Sequence, residues 1–222
     1  MKIIEGGLIM PLHKGFSFPI EYIEMDKQGW FDISNFTNRD VFNQKYVWFY
    51  NMEWLSSEKI LNYKYEDYQS DSVIPFALSG SNDIWGWYVD EHKSYLPIVF
   101  CPHDDDEGIY YAQNFISALF RQILEFASQN NFCIGVGEPW EMNIELARKH
   151  LMNWKNRFGK WFTNEWISEI DRLMNLELKY FQVREKPSTG DYFLLITSDE
   201  CNQLIKKYLD FELLDQSFVW TV

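Results

Sequence analysis

Residues 73–112 read VIPFALSGSNDIWGWYVDEHKSYLPIVFCPHDDDEGIYYA, and this stretch decides the fold class. Three runs, Val73–Leu78, Ile84–Val89 and Leu96–Cys101, are rich in β-branched and aromatic residues, and Ile109–Ala112 is a shorter fourth. The turn Ser79-Gly80-Ser81-Asn82 joins the first two, and an acidic turn from Pro102 to Gly108 precedes the last. A parallel crossover needs a dozen or more residues, so connections this short predict antiparallel pairing as a meander. Pro75 has no amide hydrogen to give a ladder, which confines its strand to an edge or a bulge.

Working outward, the next element is the clearest helix of the chain. Asn114 is a good N-cap, and Phe115, Ile116, Leu119, Phe120, Ile123, Leu124 and Ala127 recur at three- and four-residue spacing up to about Ser128. So wide an apolar stripe is expected to lie on the sheet. The pattern breaks around Asn130 to Gly137. Pro139 then opens a helix to about Trp154, and another runs from Asn164 to about Leu178. Strands follow at Tyr180–Arg184 and Tyr192–Thr197, with the turn Lys186–Asp191 between them. Thr197 and Glu200 form a capping box into a helix carrying Leu204, Ile205, Tyr208 and Leu209, and Phe218–Val222 is a last strand. On the other side of the meander, the first 35 residues mix Gly6-Gly7, Pro11, Gly15, Pro19 and Gly29 with short apolar pieces, which predicts loops and a strand or two. Tyr46–Tyr50 suits a buried strand, and Ser56 or Ser57 caps a helix to about Tyr68.

The chain has 222 residues, enough to bury about 70% of its unfolded surface without metal or disulfide support. Aromatics make up 18% and apolar residues 46%, which excludes a disordered chain. The net charge is −13, and a chain this acidic repels nucleic-acid phosphates and anionic lipid head groups. From Asn51 to Tyr110, twelve acids face only Lys59, Lys64 and Lys93, so this segment alone carries −9. Residues 151–180 are near neutral. Such a field serves partner selection and association rate more than raw affinity. Cys101, Cys133 and Cys201 are far apart with no CxxC spacing, reading as idle thiols of a reducing compartment. No apolar run reaches the roughly 20 residues of a membrane helix, and a cytoplasmic protein is expected.

Motifs for chemistry are absent. Gly135-Val136-Gly137 is followed by Glu138-Pro139-Trp140, without the third glycine of a dinucleotide fingerprint, and no phosphate-binding GxxxxGK[ST], GxSxG or HExxH occurs. The segment Cys101-Pro102-His103-Asp104-Asp105-Asp106-Glu107 is the one that looks like ligands. His103 with two of the carboxylates is the metal reading, although its spacing fits neither an EF-hand nor a zinc site. An acidic solvated turn and a protein-contact surface are the other readings. Trp85, Trp87 and Val89 share one strand face, where exposed tryptophan would be an interface anchor and buried tryptophan a core residue.

The same region resembles the SUKH superfamily, a group of bacterial immunity proteins that also includes fungal cell-wall-synthesis regulators. The residues that carry the resemblance are Ile74-Pro75-Phe76-Ala77, Gly80-Ser81-Asn82-Asp83, Ile84-Trp85-Gly86-Trp87-Tyr88, Pro97-Ile98-Val99-Phe100, the acidic turn, and Ala112–Leu119. Phe18-Pro19-Ile20-Glu21-Tyr22 is similar to the family's LP-x-x-Y piece. The resemblance implies an α+β fold, a mostly antiparallel or mixed sheet flanked by helices. It implies a SUKH-like core over 1–133 and an α+β C-terminal extension over 138–222, packed on the core. It also implies binding without catalysis, with no cofactor: neutralisation of a cognate toxin, a basic nuclease domain, through an acidic surface. The expected contact residues are Asp83, Trp85, Asp90, Glu91, Asp104, Asp105, Asp106 and Glu107. No direct nucleic-acid or membrane partner is expected. A regulatory scaffold of the cell-wall-regulator kind and a small-ligand or metal-binding enzyme remain as alternatives.

Overall fold

The computed structural model describes residues 16–36, 41–50, 52–90, 92–129, 143–185 and 188–222, with backbone alone over 181–192. The protein is α+β, and its described residues form two compact units that interleave along the chain. One holds 16–34, 52–115 and 213–222, and the other holds 35–50 and 116–212. The boundary expected at 133–138 lies outside the described residues.

The first unit is a six-stranded antiparallel sheet in the order β1-β2-β3-β4-β5-β8. Its strands are β1 (Glu53–Trp54), β2 (Val73–Leu78), β3 (Ile84–Tyr88), β4 (Ile98–Cys101), β5 (Glu107–Ala112) and β8 (Ser217–Val219). The meander of four strands is the one the turn spacing predicts. Pro75 sits at a bulge, where the β2–β3 register shifts between Pro75 and Ala77, so β2 keeps an interior place despite the missing donor. The terminal strand is shorter than expected and returns to this sheet, pairing Glu107 with Val219 and Ile109 with Ser217.

Loops and strands were expected before residue 35, but α1 (Ile20–Lys27) is a helix. Pro19, at φ −55°, presets its entry, and Gly29, at φ 72°, ends it in the left-handed region where a Cβ is costly. The helix buries Tyr22 and Met25, three residues apart, on one side. Its partner α2 (Ser57–Leu61), capped by Ser56, stops well short of Tyr68. The Ser57 hydroxyl and amide both donate to the Asp26 carboxylate, joining the two helices.

The core of this unit is aromatic. Tyr22 stacks on Phe31 at 4.7 Å and meets Trp87 edge-on at 5.0 Å, while Phe31 stacks on Trp54 at 4.8 Å. Phe76 and Phe115 close the cluster around Trp87. The Tyr22 hydroxyl donates to the Leu55 carbonyl, and burial drives its pKa far above the ordinary range.

The second unit is helical, with a two-stranded hairpin of β6 (Lys179–Glu185) and β7 (Ser188–Leu194). The hairpin's second strand starts earlier than the predicted Tyr192. Helix α3 (Phe115–Ala127) gives all but its first residue to this unit, and its rings meet other helices. Phe120 stacks on Trp166 of α5 (Asn164–Met174) at 4.6 Å, and Phe126 meets Trp154 of α4 (Ile144–Phe158) at 4.8 Å. Asn143 caps α4, accepting from the Leu146 amide at 2.9 Å; Pro139, expected to open this helix, lies outside the described residues. Arg148 of α4 donates to the Met174 and Leu176 carbonyls at 2.9 and 3.0 Å, satisfying carbonyls at the end of α5 that have no helical partner. Helix α6 (Ser198–Leu209) is capped by Thr197, whose hydroxyl accepts from the Glu200 amide at 3.1 Å. The reciprocal half of the expected box is diverted, because the Glu200 carboxylate pairs with Arg172 at 3.0 Å and Lys179 at 2.7 Å.

Tyr46–Tyr50 is not a strand. Tyr46, Val47 and Phe49 are buried as expected, but they belong to an irregular segment of the helical unit. The apolar run signalled burial, and its β pairing is limited to one bridge at Phe49.

Two glycines, Gly86 in β3 and Gly80 in the turn before it, give a controlled test of this packing. A Cβ on Gly86 would come within 2.8 Å of the Ile74 carbonyl oxygen and a Val73 methyl, whereas one on Gly80 would meet nothing within 4 Å. Gly86→Ala is expected to cost about 1–3 kcal/mol in a urea melt, with Gly80→Ala within about 0.5 kcal/mol of wild type. Equal effects would show that the sheet does not close on Gly86.

Candidate functional site

The β2–β3 turn is built around Ser79. Its hydroxyl accepts from the Ser81 and Asp83 amides at 3.1 and 3.0 Å and donates to Asp83 Oδ2 at 2.7 Å. Asn82 takes the left-handed position of the turn at φ 68°, a conformation its short polar side chain tolerates. The other carboxylate oxygen, Oδ1, accepts from the His103 amide at 3.0 Å and lies 2.8 Å from His103 Nδ1. Asp83 therefore ties the β2–β3 turn to the acidic β4–β5 turn.

That second turn is anchored from the chain's end as well. Trp220 is buried, and its indole N–H donates to the Asp105 carbonyl at 2.8 Å while its amide donates to the Asp106 carbonyl at 3.1 Å. The Glu107 amide donates to Asp105 Oδ1 at 3.0 Å. Between these ties Asp104, Asp105, Asp106 and Glu107 are all exposed. No Lys or Arg forms an ion pair with any of the four among the described residues. The fold thus holds four carboxylates in water on a backbone that is pinned from two sides.

The other expected contact residues lie elsewhere. Leu78 pairs with Ile84 and Ile84 with Cys101, so the turns at 79–83 and 102–106 share one end of the sheet. Tyr88 pairs with Val73 at the opposite end, where Asp90 leaves β3. Five residues of strand separate the two ends by about 15 Å, more than the roughly 8–10 Å over which charges act through physiological salt. Asp90 has local partners of its own, the His92 amide at 2.9 Å and Lys93 at 3.5 Å. Glu91 lies outside the described residues. Trp85 is 8% exposed and packs on Phe100 with ring centroids 4.7 Å apart, so it is a core residue of the sheet and not an exposed anchor.

Ser79, Asp83 and His103 are the three residue types of a nucleophilic relay in the wrong order. In a working relay the imidazole sits between hydroxyl and carboxylate. Here the carboxylate is central and the Ser79 hydroxyl points its proton at it, so His103 cannot take that proton. Nor do three His, Cys, Asp or Glu side chains converge as metal ligands among the described residues. Cys101 is buried, and that burial pushes its thiol far above the ordinary value; Cys201 is likewise pushed up to about 11. Neither is a thiolate at neutral pH. Cys133 lies outside the described residues. The arrangement fixes the position of four exposed carboxylates.

The titration of the clamp follows from its geometry. Partial burial raises the Asp83 carboxyl, but hydrogen bonds from the His103 side chain and amide and from Ser79 outweigh it, leaving the group below its ordinary value. His103 is raised, chiefly by its bond to Asp83 and further by the negative charge of Asp104. No helix among the described residues is long and apolar enough to cross a membrane. Comparison with protein-family models, curated proteins and solved structures finds no match to this chain.

A raised histidine stabilises the fold below its unfolded pKa, near 6.5, and this contribution is lost as pH rises through the higher folded value. His103→Gln should therefore lower stability more at pH 5.5 than at pH 9, and in wild type His103 should titrate above 6.5 by NMR. Asp83→Asn should bring that titration back down. A His103 that titrates at its ordinary value would remove the clamp.

Proposed function

We propose that this protein is a non-catalytic immunity protein that binds and occludes a cognate toxin domain of basic character, a nuclease, through the acidic turn Asp104–Glu107. The observation that carries the reading is the set of four exposed, unpaired carboxylates on a turn held by Asp83, His103 and Trp220. A nuclease must present cations to hold phosphates, and a fixed row of carboxylates competes for the same cations. Pinning matters because a preorganised surface loses little freedom on binding. The SUKH resemblance of residues 70–120 supports the same class. The −9 charge of residues 51–110 would speed encounter with a cationic partner.

Co-expression with toxin domains encoded beside the gene tests the reading, and binding with loss of toxin activity is the expected result. Reversing all four charges, Asp104, Asp105, Asp106 and Glu107 to Lys, should slow association by about 10-fold or more and abolish the salt dependence of the on-rate. Reversal of Asp90 alone should change little. Unchanged protection by a folded, fourfold-reversed variant would overturn the proposal.

A further inference from the structure

The helical unit contains a segment held along one face of α4 beside a buried histidine. Residues 41–50 run without a strand of their own, burying Val41, Gln44, Tyr46, Val47 and Phe49 while Phe42, Asn43, Lys45 and Tyr50 face solvent. Their contacts follow one face of α4. The His150 ring lies 4.7 Å from the Trp48 ring; Trp154 Nε1 donates to the Trp48 carbonyl at 3.1 Å and its ring stacks on Phe49 at 4.7 Å. Arg157 Nη1 donates to the Lys45 carbonyl at 2.6 Å, and Phe158 lies 6.2 Å from Phe49. Positions 150, 154, 157 and 158 repeat at helical spacing, so the segment is a strap laid along a single stripe.

We propose that residues 41–50 are a releasable strap and that protonation of His150 unlatches it from α4. The ring is 6% exposed and enclosed by Trp48, Trp154 at 5.5 Å and Phe126 of α3 at 6.1 Å. Its side chain makes no hydrogen bond to a described residue, and its ring nitrogens are not among the fully buried unpartnered atoms, so they sit at the edge of the enclosure. Charged groups on the enclosing elements offer no counter-ion. Lys45 on the strap is a cation, and Arg121 and Glu125 on α3 pair with each other at 2.8 Å. On α4, Glu145 lies five residues away, on another side of the helix, and the remaining charged residues, Arg148, Lys149, Lys155 and Arg157, are cations. Among these, Arg148 pairs with Glu177 and Lys155 with Asp171. A neutral imidazole fits this apolar box as a core ring, whereas an imidazolium is driven toward water. Of the elements around the ring, the strap is the one that is neither helix nor strand; its backbone carries a single β-bridge, at Phe49.

Burial alone holds His150 down at about 4, against an ordinary 6.5. The sign is opposite to that of His103: stability is full above the unfolded value and is lost as pH falls from 6.5 toward 4. At pH 5 the released form should gain by about 30-fold relative to pH 8.

Hydrogen exchange on the full chain, corrected for intrinsic pH dependence, tests this at pH 7.5 and 5.0. Protection of the 44–50 amides and of the Trp154 indole N–H is expected to fall by about 30-fold at pH 5, while amides of β2–β5 keep theirs. His150→Phe should make strap protection independent of pH, and His150→Gln serves if the larger ring does not fold. Two results overturn the proposal. One is the same pH-dependent loss in wild type and variant. The other is a His150 that titrates near 6.5 by NMR with the strap still protected.

Discussion

Large aromatic rings that must be buried while their polar tips find an acceptor shape this protein throughout. The Tyr22 hydroxyl reaches the Leu55 carbonyl, the Trp154 indole reaches the Trp48 carbonyl, and the Trp220 indole reaches the Asp105 carbonyl. In each case one side chain supplies a large apolar contact and also fixes a backbone segment far away in sequence. These three bonds respectively tie α1 to the segment after β1, hold the strap on α4, and brace the acidic turn. Trp85 and Trp87 are among the exceptions, their indole N–H groups buried in the sheet unit without an acceptor among the described residues. An unmet buried donor costs roughly 1–3 kcal/mol, so the ring packing around them must outweigh it.

Two histidines, one in each unit, read pH in opposite senses. His103 lies on the surface beside Asp83 and gains a proton more readily than a free imidazole. His150 lies among rings and gains one less readily. Mild acid thus reinforces the clamp under the acidic turn and weakens the latch on α4. The difference arises from environment alone: a carboxylate hydrogen bond favours the charged ring, and an apolar enclosure disfavours it. The Asp83 bond and the aromatic enclosure are not visible in the local sequence of either residue, although the neighbouring Asp104 that also raises His103 is.

Short-range features were legible in the residue order. The meander over 73–112, the edge-or-bulge constraint at Pro75, and the caps at Ser56 and Thr197 follow from alternation, a missing amide hydrogen and hydroxyls placed before apolar runs. These depend on neighbours within a few residues, which is the range over which such signals act. The acidity of the chain and its concentration between residues 51 and 110 were equally plain, since charge needs no fold to be counted. Helix α1 was missed because the glycine and proline that bracket it look like loop punctuation when its two buried residues, Tyr22 and Met25, are not seen packed.

Long-range pairing was beyond that reach. Residue order alone determined an α+β chain with an antiparallel meander and an acidic β4–β5 turn. Tertiary structure decided that the last strand returns to β5 so that Trp220 braces this turn, that Asp83 and His103, twenty residues apart, join two turns, and that Asp90 stands at the far end of the sheet. It also turned Tyr46–Tyr50 from an expected strand into a strap on α4. The physical reason is common to all four: a hydrogen bond or ring contact between distant residues carries no local periodicity, and it exists only once the chain between its partners has folded.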